Sequence, residues 1–116
     1  GEAKINDSIY LILSTKVGER VFLPEFGSKL HKAIFEPNDL IATDLIKLYI
    51  EEALQRWEKR IIVQNIEIGD EGEDNIVPVA IYYTWTNSNV SGCYVYPFNL
   101  KSDGTEDSYE LGTYSE

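Results

Sequence analysis

The hydrophobic pattern changes period near residue 61, and this change divides the chain into a helical half and a sheet half. Before that point, apolar residues recur every three or four positions, which predicts an amphipathic helix. The stripe consists of Leu45, Ile46, Tyr49, Ile50, Ala53, Leu54, Trp57 and Ile61. After it, apolar and polar residues alternate, which is typical of strands. The pattern therefore predicts an α+β fold with N-terminal helices packed on one face of a small, mostly antiparallel C-terminal sheet.

Two shorter helices are predicted ahead of the long one. Asn6-Asp7-Ser8 is typical of a helix start before the apolar residues at 9–13, and Val17-Gly18 closes this helix. Ser28 can cap a second helix, which Pro37 ends. Between them, Val21-Phe22-Leu23 is predicted to cross the core as extended chain, because three bulky neighbours cannot all face one side of a helix.

Three strands are predicted in the second half. In the first, Ile62, Gln64, Ile66 and Ile68 alternate with Val63, Asn65 and Glu67, and an acidic turn at 70–75 follows. The second strand covers 77–86. Pro78 cannot donate to a ladder, which predicts that this strand starts at an edge or carries a bulge. In the third strand, at 93–100, Cys93 is predicted to be a small buried residue.

Length and charge limit the classes of protein to consider. With 116 residues we expect a single domain over 1–116, with flexible ends at 1–4 and 101–116. The net charge is −10, and residues 64–116 hold ten acidic side chains but a single basic one, Lys101. Such a surface repels nucleic acid and favours cationic partners. No apolar run approaches the roughly 20 residues of a membrane span, so we expect no membrane partner.

Candidate chemistry in the sequence is sparse. One cysteine and one histidine cannot supply the four ligands of a structural zinc site, and no glycine-rich phosphate loop is present. A glycosidase needs two carboxylates with separated pKa values, and Glu19, Glu25, Glu36 and Glu58 are the candidates. Nothing in their spacing distinguishes an acid from a nucleophile. We therefore expect no catalytic residue, metal, cofactor or small-molecule substrate.

Three charged or Pro/Gly-bounded motifs occur in a fixed order along the chain. They are Gly18-Glu19-Arg20, Pro24-Glu25-Phe26-Gly27 and Trp57-Glu58-Lys59-Arg60-Ile61. This series resembles the baseplate wedge family of contractile phage tails, also called baseplate protein W or sheath-initiator proteins, with relatives in type VI secretion baseplates.

The resemblance implies a structural subunit whose sheet edge accepts strands from tail sheath subunits and whose helical side contacts other baseplate wedge proteins. It also implies assembly in the bacterial cytoplasm and a final place in a virion tail baseplate or contractile injection apparatus. Some members have been described as tail lysozymes, so a peptidoglycan-cleaving enzyme is the alternative. A stand-alone adaptor that uses the same edge is a third possibility.

The resemblance also indicates where partners bind. The family usually has Glu-Pro-Arg where this chain has Glu58-Lys59-Arg60, and that motif contacts the core bundle of the wedge. Because lysine replaces proline, we expect the helix to continue through Arg60. The candidate interface residues here are Arg20, Glu58 and Arg60. Two interpretations stay open: Glu58 and Arg60 face outward as a docking point, or they and Arg20 form ion pairs that fix the turn and the helix end.

The sheet supplies the other predicted interface residues. Its aromatic side chains lie on both faces, and amphipathic tyrosines are favoured at interfaces. We expect an open edge around 79–86 or 94–96. The candidates are Val79, Ile81, Tyr82, Tyr83, Tyr94 and Tyr96.

Overall fold

The computed structural model describes residues 2–36 and 39–100, and it confirms the α+β fold. The helices are α1 (Glu2–Ser14), a 3₁₀ helix (Leu30–Phe35) and α2 (Asp39–Trp57). The strands are β1 (Ile61–Ile68), β2 (Ile76–Trp85) and β3 (Ser91–Asn99), with a short 3₁₀ turn (Glu73–Asn75) between β1 and β2. The tail predicted at 101–116 lies outside the described residues.

Helix α1 begins earlier than predicted. Asn6-Asp7-Ser8 lies inside the helix, because two of these polar side chains bond to other elements instead of capping it. Asn6 Oδ1 accepts a hydrogen bond from the Tyr83 hydroxyl at 3.3 Å. Ser8 Oγ donates to Glu58 Oε2 at 2.6 Å. The start signal was therefore misread, and the helix begins at Glu2.

The three strands form an antiparallel sheet in the order β1-β2-β3. The central strand is β2, but it begins at Ile76, before its ladder with β1 starts at Val79, so the strand starts at an edge on the β1 side, as predicted for Pro78. Pro78 is tolerated because it lies at the end of the β1–β2 ladder, where its carbonyl accepts from Gly69 N at 2.8 Å. The last register pair before it joins Ile68 to Val79.

A bulge in β1 changes which face its residues occupy. The register shifts between Val63 and Asn65, which leaves Gln64 as the extra residue. As a result Ile61 and Ile66 both face the core, at 6% and 4% exposure. Ile62 is 53% exposed. The prediction that Ile62 and Ile66 share one face is therefore wrong.

One apolar core joins the two helices to the inner face of the sheet. Helix α2 packs over β1, and α1 packs over β3. The buried members from the helices are Ile5, Ile9, Ile12, Leu13, Leu30, Ala33, Ile46, Ile50, Ala53 and Leu54. Those from the sheet are Ile61, Ile66, Val77, Val79, Ile81, Tyr83, Tyr96 and Phe98. Cys93 is exposed, contrary to prediction, because it lies opposite Tyr82 on the outer face of the sheet.

The segment between α1 and the 3₁₀ helix folds as a loop with an apolar tip. Val21 and Phe22 are each 88% exposed, so the prediction that Val21–Leu23 crosses the core is wrong. The base of the loop is closed instead, by Ser28 N donating to Thr15 O at 2.8 Å and by Val17 N donating to Ser28 O at 3.1 Å. This closure holds the apolar run away from the core.

Candidate partner-binding surfaces

Glu58 lies at the junction of α1, α2 and β1 and holds the three elements together. The Arg60 side chain donates to it through Nε and Nη2, each at 2.8 Å, and the Arg60 backbone N donates to Oε1 at 3.2 Å. Ser8 adds a fourth bond from α1. Only 3% of Glu58 is exposed, whereas half of the Arg60 side chain meets solvent. The bidentate contact is a strong, geometrically specific form of ion pair.

The pKa of Glu58 reflects this arrangement. The side-chain hydrogen bonds from Arg60 are the largest cause, and with the bond from Ser8 they lower the pKa from 4.5 to about 2, against the opposing effect of burial. The same pairing raises the pKa of Arg60 above its usual value. Glu58 is therefore ionised at neutral pH, and its charge is neutralised internally.

The helix does not continue through Arg60, contrary to the prediction from Lys59. Glu58 N still donates to Leu54 O at 2.9 Å, but α2 ends at Trp57. The chain turns here because the Glu58 carboxylate accepts a hydrogen bond from the Arg60 backbone N–H. The Arg60 carbonyl in turn accepts a hydrogen bond from Thr86 N at 2.9 Å, which directs the chain into the sheet. The expectation of an outward Glu58 is wrong, and the ion-pair interpretation is confirmed for this pair. The Arg60 guanidinium still has a solvent-facing side.

Arg20 takes part in a different contact. Its guanidinium lies 4.5 Å from the centre of the Phe26 ring, and Phe26 in turn meets Trp57 edge to face, at 5.1 Å between ring centres. Cation–π stacking of this kind fixes the loop against the end of α2. The structure therefore keeps Arg20 on the loop and does not bring it together with Glu58 and Arg60.

The sheet residues predicted as an interface divide into buried and accessible sets. Val79, Ile81 and Tyr83 are at most 1% exposed, and Tyr96 is 7% exposed. Since β2 is paired on both sides, its backbone at 79–86 offers no free edge, and that part of the prediction is wrong. Tyr82 is 38% exposed on the outer face, where its hydroxyl donates to Glu67 Oε1 at 3.3 Å. Tyr94 is half-buried.

Within the described residues, no strand pairs with the outer side of β1 or of β3, so these two strands form the open edges of the sheet. At β3, Trp85 N donates to Val90 O and Leu100 N donates to Asn75 O, each at 2.9 Å. Alternation in an antiparallel ladder then places the backbones of residues 91, 93, 95 and 97 away from β2. Pro97 has no N–H, so the free donors of this edge end at Val95. The predicted edge at 94–96 therefore corresponds to an open stretch at 91–95.

The exposed apolar tip of the loop after α1 was not predicted from the sequence. Val21 and Phe22 were predicted to be core residues because no local pattern separates a buried apolar run from an exposed one. The available signal was the pair of chain-turning residues around the run, Gly18 and Pro24. Gly18 N donates to Pro24 O at 2.6 Å and closes the loop between them.

Metal and membrane chemistry can be checked against the described part of the chain. Within residues 2–36 and 39–100, no cluster of three or more His, Cys, Asp or Glu side chains could hold a metal ion. Among the same residues, no helix is long and apolar enough to cross a bilayer.

Comparison with known proteins identifies similar chains. A family model described as baseplate wedge protein gp25 matches residues 1–90, which include both α-helices, β1 and β2. Baseplate wedge protein gp25 of Enterobacteria phage T4 is 33% identical over 84 residues, or 72% of this chain and 58% of that protein. The chain thus spans little more than half of that relative's length.

A solved structure is also similar. It is the crystal structure of a protein from Geobacter sulfurreducens described as a candidate tail lysozyme. The TM-score is 0.79 with 35% sequence identity, and the match covers 86% of this chain and 91% of that chain.

Proposed function

The chain belongs to the baseplate wedge protein gp25 family, and from this membership we propose that it is a structural subunit of a contractile-tail baseplate. Its sheet then provides a free edge to which a tail sheath subunit adds a strand. The observation that carries this proposal is the open stretch of β3 at 91–95, which ends at Pro97. Backbone hydrogen bonds hold the partner in β-augmentation, and the side chains beside them supply specificity.

The helical side has a separate role in this proposal. The solvent-facing part of the Arg60 guanidinium contacts another wedge protein, and the buried Glu58 carboxylate holds the guanidinium in position. Arginine suits such contacts because its planar fork matches carboxylates in two places at once. The assembled protein is therefore located in the tail baseplate of a virion or a related contractile apparatus.

A proline substitution tests the strand edge. Val95→Pro removes one outward N–H without touching the β2–β3 ladder, because residue 95 pairs with Ala80 at a position that does not exchange backbone bonds. Binding of a cognate sheath subunit is expected to weaken by about tenfold, the value of one or two lost hydrogen bonds. Val95→Thr keeps the donor and serves as the matched control.

The outcomes distinguish a sheath site at the β3 edge from a sheath site at the end of α2. Equal binding by the Val95→Pro and Val95→Thr variants, together with loss of binding in Arg60→Ala, would move the sheath site to the helix end. Circular dichroism melts of both Val95 variants check that the domain remains folded.

The alternative function is peptidoglycan cleavage, and the description of the Geobacter sulfurreducens relative is what favours it. A glycosidase acid needs a raised pKa, whereas the pKa of Glu58 is lowered to about 2. Glu25 and Glu52 line one shallow pocket, but they share it with Lys29 and Arg56. We propose that the protein is not an enzyme. A turbidity assay on purified cell walls tests this: lysis that disappears in Glu25→Gln or Glu52→Gln would contradict it.

A further inference from the structure

The second open edge of the sheet borders a groove. Between α2 and β1 lies a cleft of about 450 Å³. Glu51, Leu54 and Gln55 line it from the helix, and residues 61–63 line it from the strand. Leu54 and Ile61 are buried at its base, at 1% and 6% exposure. A groove with an apolar base thus runs directly beside the open edge of β1.

The backbone of β1 offers hydrogen bonds along this groove. Thr86 N donates to Arg60 O and Gly69 N donates to Pro78 O, so these two positions bond across the β1–β2 ladder. Counting from Arg60, alternation directs the backbone groups of Ile61 and Val63, which lie in the groove, away from β2. Beyond the bulge, counting from Gly69 gives Ile66 the same direction. In an extended chain the side chains stand perpendicular to those backbone bonds. An added strand would therefore pair with β1 and place alternate side chains over Leu54.

The dimensions limit the occupant to a short extended segment. From Glu51 to Trp57, its last residue, the helix rises about 9 Å, at about 1.5 Å per residue. That length matches about three residues of strand, at about 3.3 Å each. The bulge at Gln64 then bends β1 and ends the straight part of the edge.

Charge indicates the chemistry of the occupant. Glu51 lies on the helix wall of the groove, whereas the carboxylate of Glu58 is already neutralised by Arg60. Lys59 lies at the opposite end from Glu51. Glu51 therefore favours a basic residue at its end of the groove, and the net charge of −10 disfavours a second copy of the chain.

We propose that the α2–β1 groove binds a short extended segment of a partner protein, with an aliphatic or β-branched residue over Leu54 and a basic residue beside Glu51. The sheet then grows at this edge independently of β3. This is the mode in which a peptide strand adds to a sheet edge beside a helix.

A synthetic peptide tests the proposal on the full chain. The probe is a capped hexapeptide that alternates valine and threonine and carries one terminal lysine. The comparison peptide has glutamate in place of that lysine. We expect the basic probe to shift the backbone amide resonances of residues 61–66 saturably and to slow hydrogen exchange at Ile61 and Val63. The shifts should weaken as salt is added.

Matched variants separate the groove from the rest of the surface. Gln55→Trp fills the groove from an exposed position on α2, and Glu52→Trp places the same side chain on another exposed face of α2 that does not line the groove. Glu51→Lys reverses the charge of the wall. Gln55→Trp should abolish binding, and Glu51→Lys should weaken it by about fivefold, the size of one exposed charge pair. Glu52→Trp and Val95→Pro should leave it unchanged.

Several results would overturn the proposal. One is that millimolar probe causes no saturable shift of the amide resonances. Others are that the basic and acidic probes bind with equal affinity, or that the amide shifts are confined to β3. Concentration-dependent shifts at 61–66 in the protein alone would assign the groove to a second copy. Tighter binding of a synthetic peptide with the sequence of residues 101–116 would assign it to the chain's own C-terminal segment. Because Val95→Pro tests the β3 edge and Gln55→Trp tests the groove, either proposal can fail alone.

Discussion

Replacing Glu58 with glutamine should remove a defined, pH-dependent part of the folding free energy. The pKa of Glu58 falls from 4.5 to about 2 on folding, a difference of about 2.5 units. Each unit corresponds to about 1.4 kcal/mol, which gives an upper value of about 3 kcal/mol. Half of the Arg60 side chain is exposed, so water screens part of the interaction. We therefore expect Glu58→Gln to lower the free energy of unfolding by about 2–3 kcal/mol at neutral pH.

The pH dependence follows from the direction of the shift. A carboxyl group whose pKa is lower in the folded state stabilises the fold above its unfolded pKa, here about 4.5. That stability is lost as the pH falls through the folded pKa of about 2. The difference between wild type and Glu58→Gln should therefore be largest above about pH 5 and shrink toward zero near pH 2.

Urea titrations followed by tryptophan fluorescence measure this difference at a series of pH values. Glu52→Gln is the control, because Glu52 is an exposed carboxylate on the same helix and should change stability by less than about 0.5 kcal/mol. A Glu58→Gln effect below about 1 kcal/mol at neutral pH, or one that is constant down to about pH 2.5, would refute the reasoning.

Three further substitutions test the loop and its contacts in the same urea titrations. Gly27→Ala should cost several kcal/mol or prevent folding, because Gly27 has φ of +121° and a Cβ there would lie 2.3 Å from Thr15 O; near-wild-type stability would contradict the loop closure. Phe22→Ser should change stability by less than about 0.5 kcal/mol, since Phe22 is 88% exposed; a larger loss would show that the tip is packed. Trp57→Ala should cost about 2–3 kcal/mol, below the range for buried aromatics, because Trp57 is half-buried against Phe26; a loss under about 1 kcal/mol would exclude that packing.

The elements that could be predicted from sequence are those whose pattern is long and periodic. Helix α2 follows its stripe from Leu45 to Trp57, and the buried residues of β2 follow strict alternation from Val77 to Tyr83. Both elements lie where one face meets the core and the other meets solvent, so burial enforces the period. The α+β architecture follows from these two elements together.

The errors occurred where a single side chain or an inserted residue decides the local structure. Ser8 reads as a helix cap, yet its hydroxyl bonds to Glu58, fifty positions away in the chain. Lys59 permits a longer helix, yet Glu58 ends it by bonding to the Arg60 N–H. Gln64 is an ordinary strand residue in sequence, but as a bulge it moves Ile62 to the outer face. Such outcomes depend on distant partners, which a local pattern does not contain.

The candidate interfaces were only partly predictable for the same reason. The tyrosine pattern identified Tyr82 as accessible, but strand order is a tertiary property, and it made β2 the central strand. The exposed tip at Val21 and Phe22 depends on closure of the loop by Ser28, which is six residues from Phe22 in the chain. Spacing alone does not reveal such closure.

The ion pair of Glu58 and Arg60 also determines how the α2–β1 groove can respond to a partner. Glu58 joins the end of α2 to the start of β1, and its bond from Ser8 adds α1 to the same point. The helix and the strand therefore cannot separate at the Lys59 end of the groove without breaking charge-assisted hydrogen bonds. A groove held at a fixed width loses little conformational freedom when a segment enters, so most of the ordering cost falls on the partner. Glu58, whose charge Arg60 neutralises, thus contributes to binding by holding the groove in shape at this end.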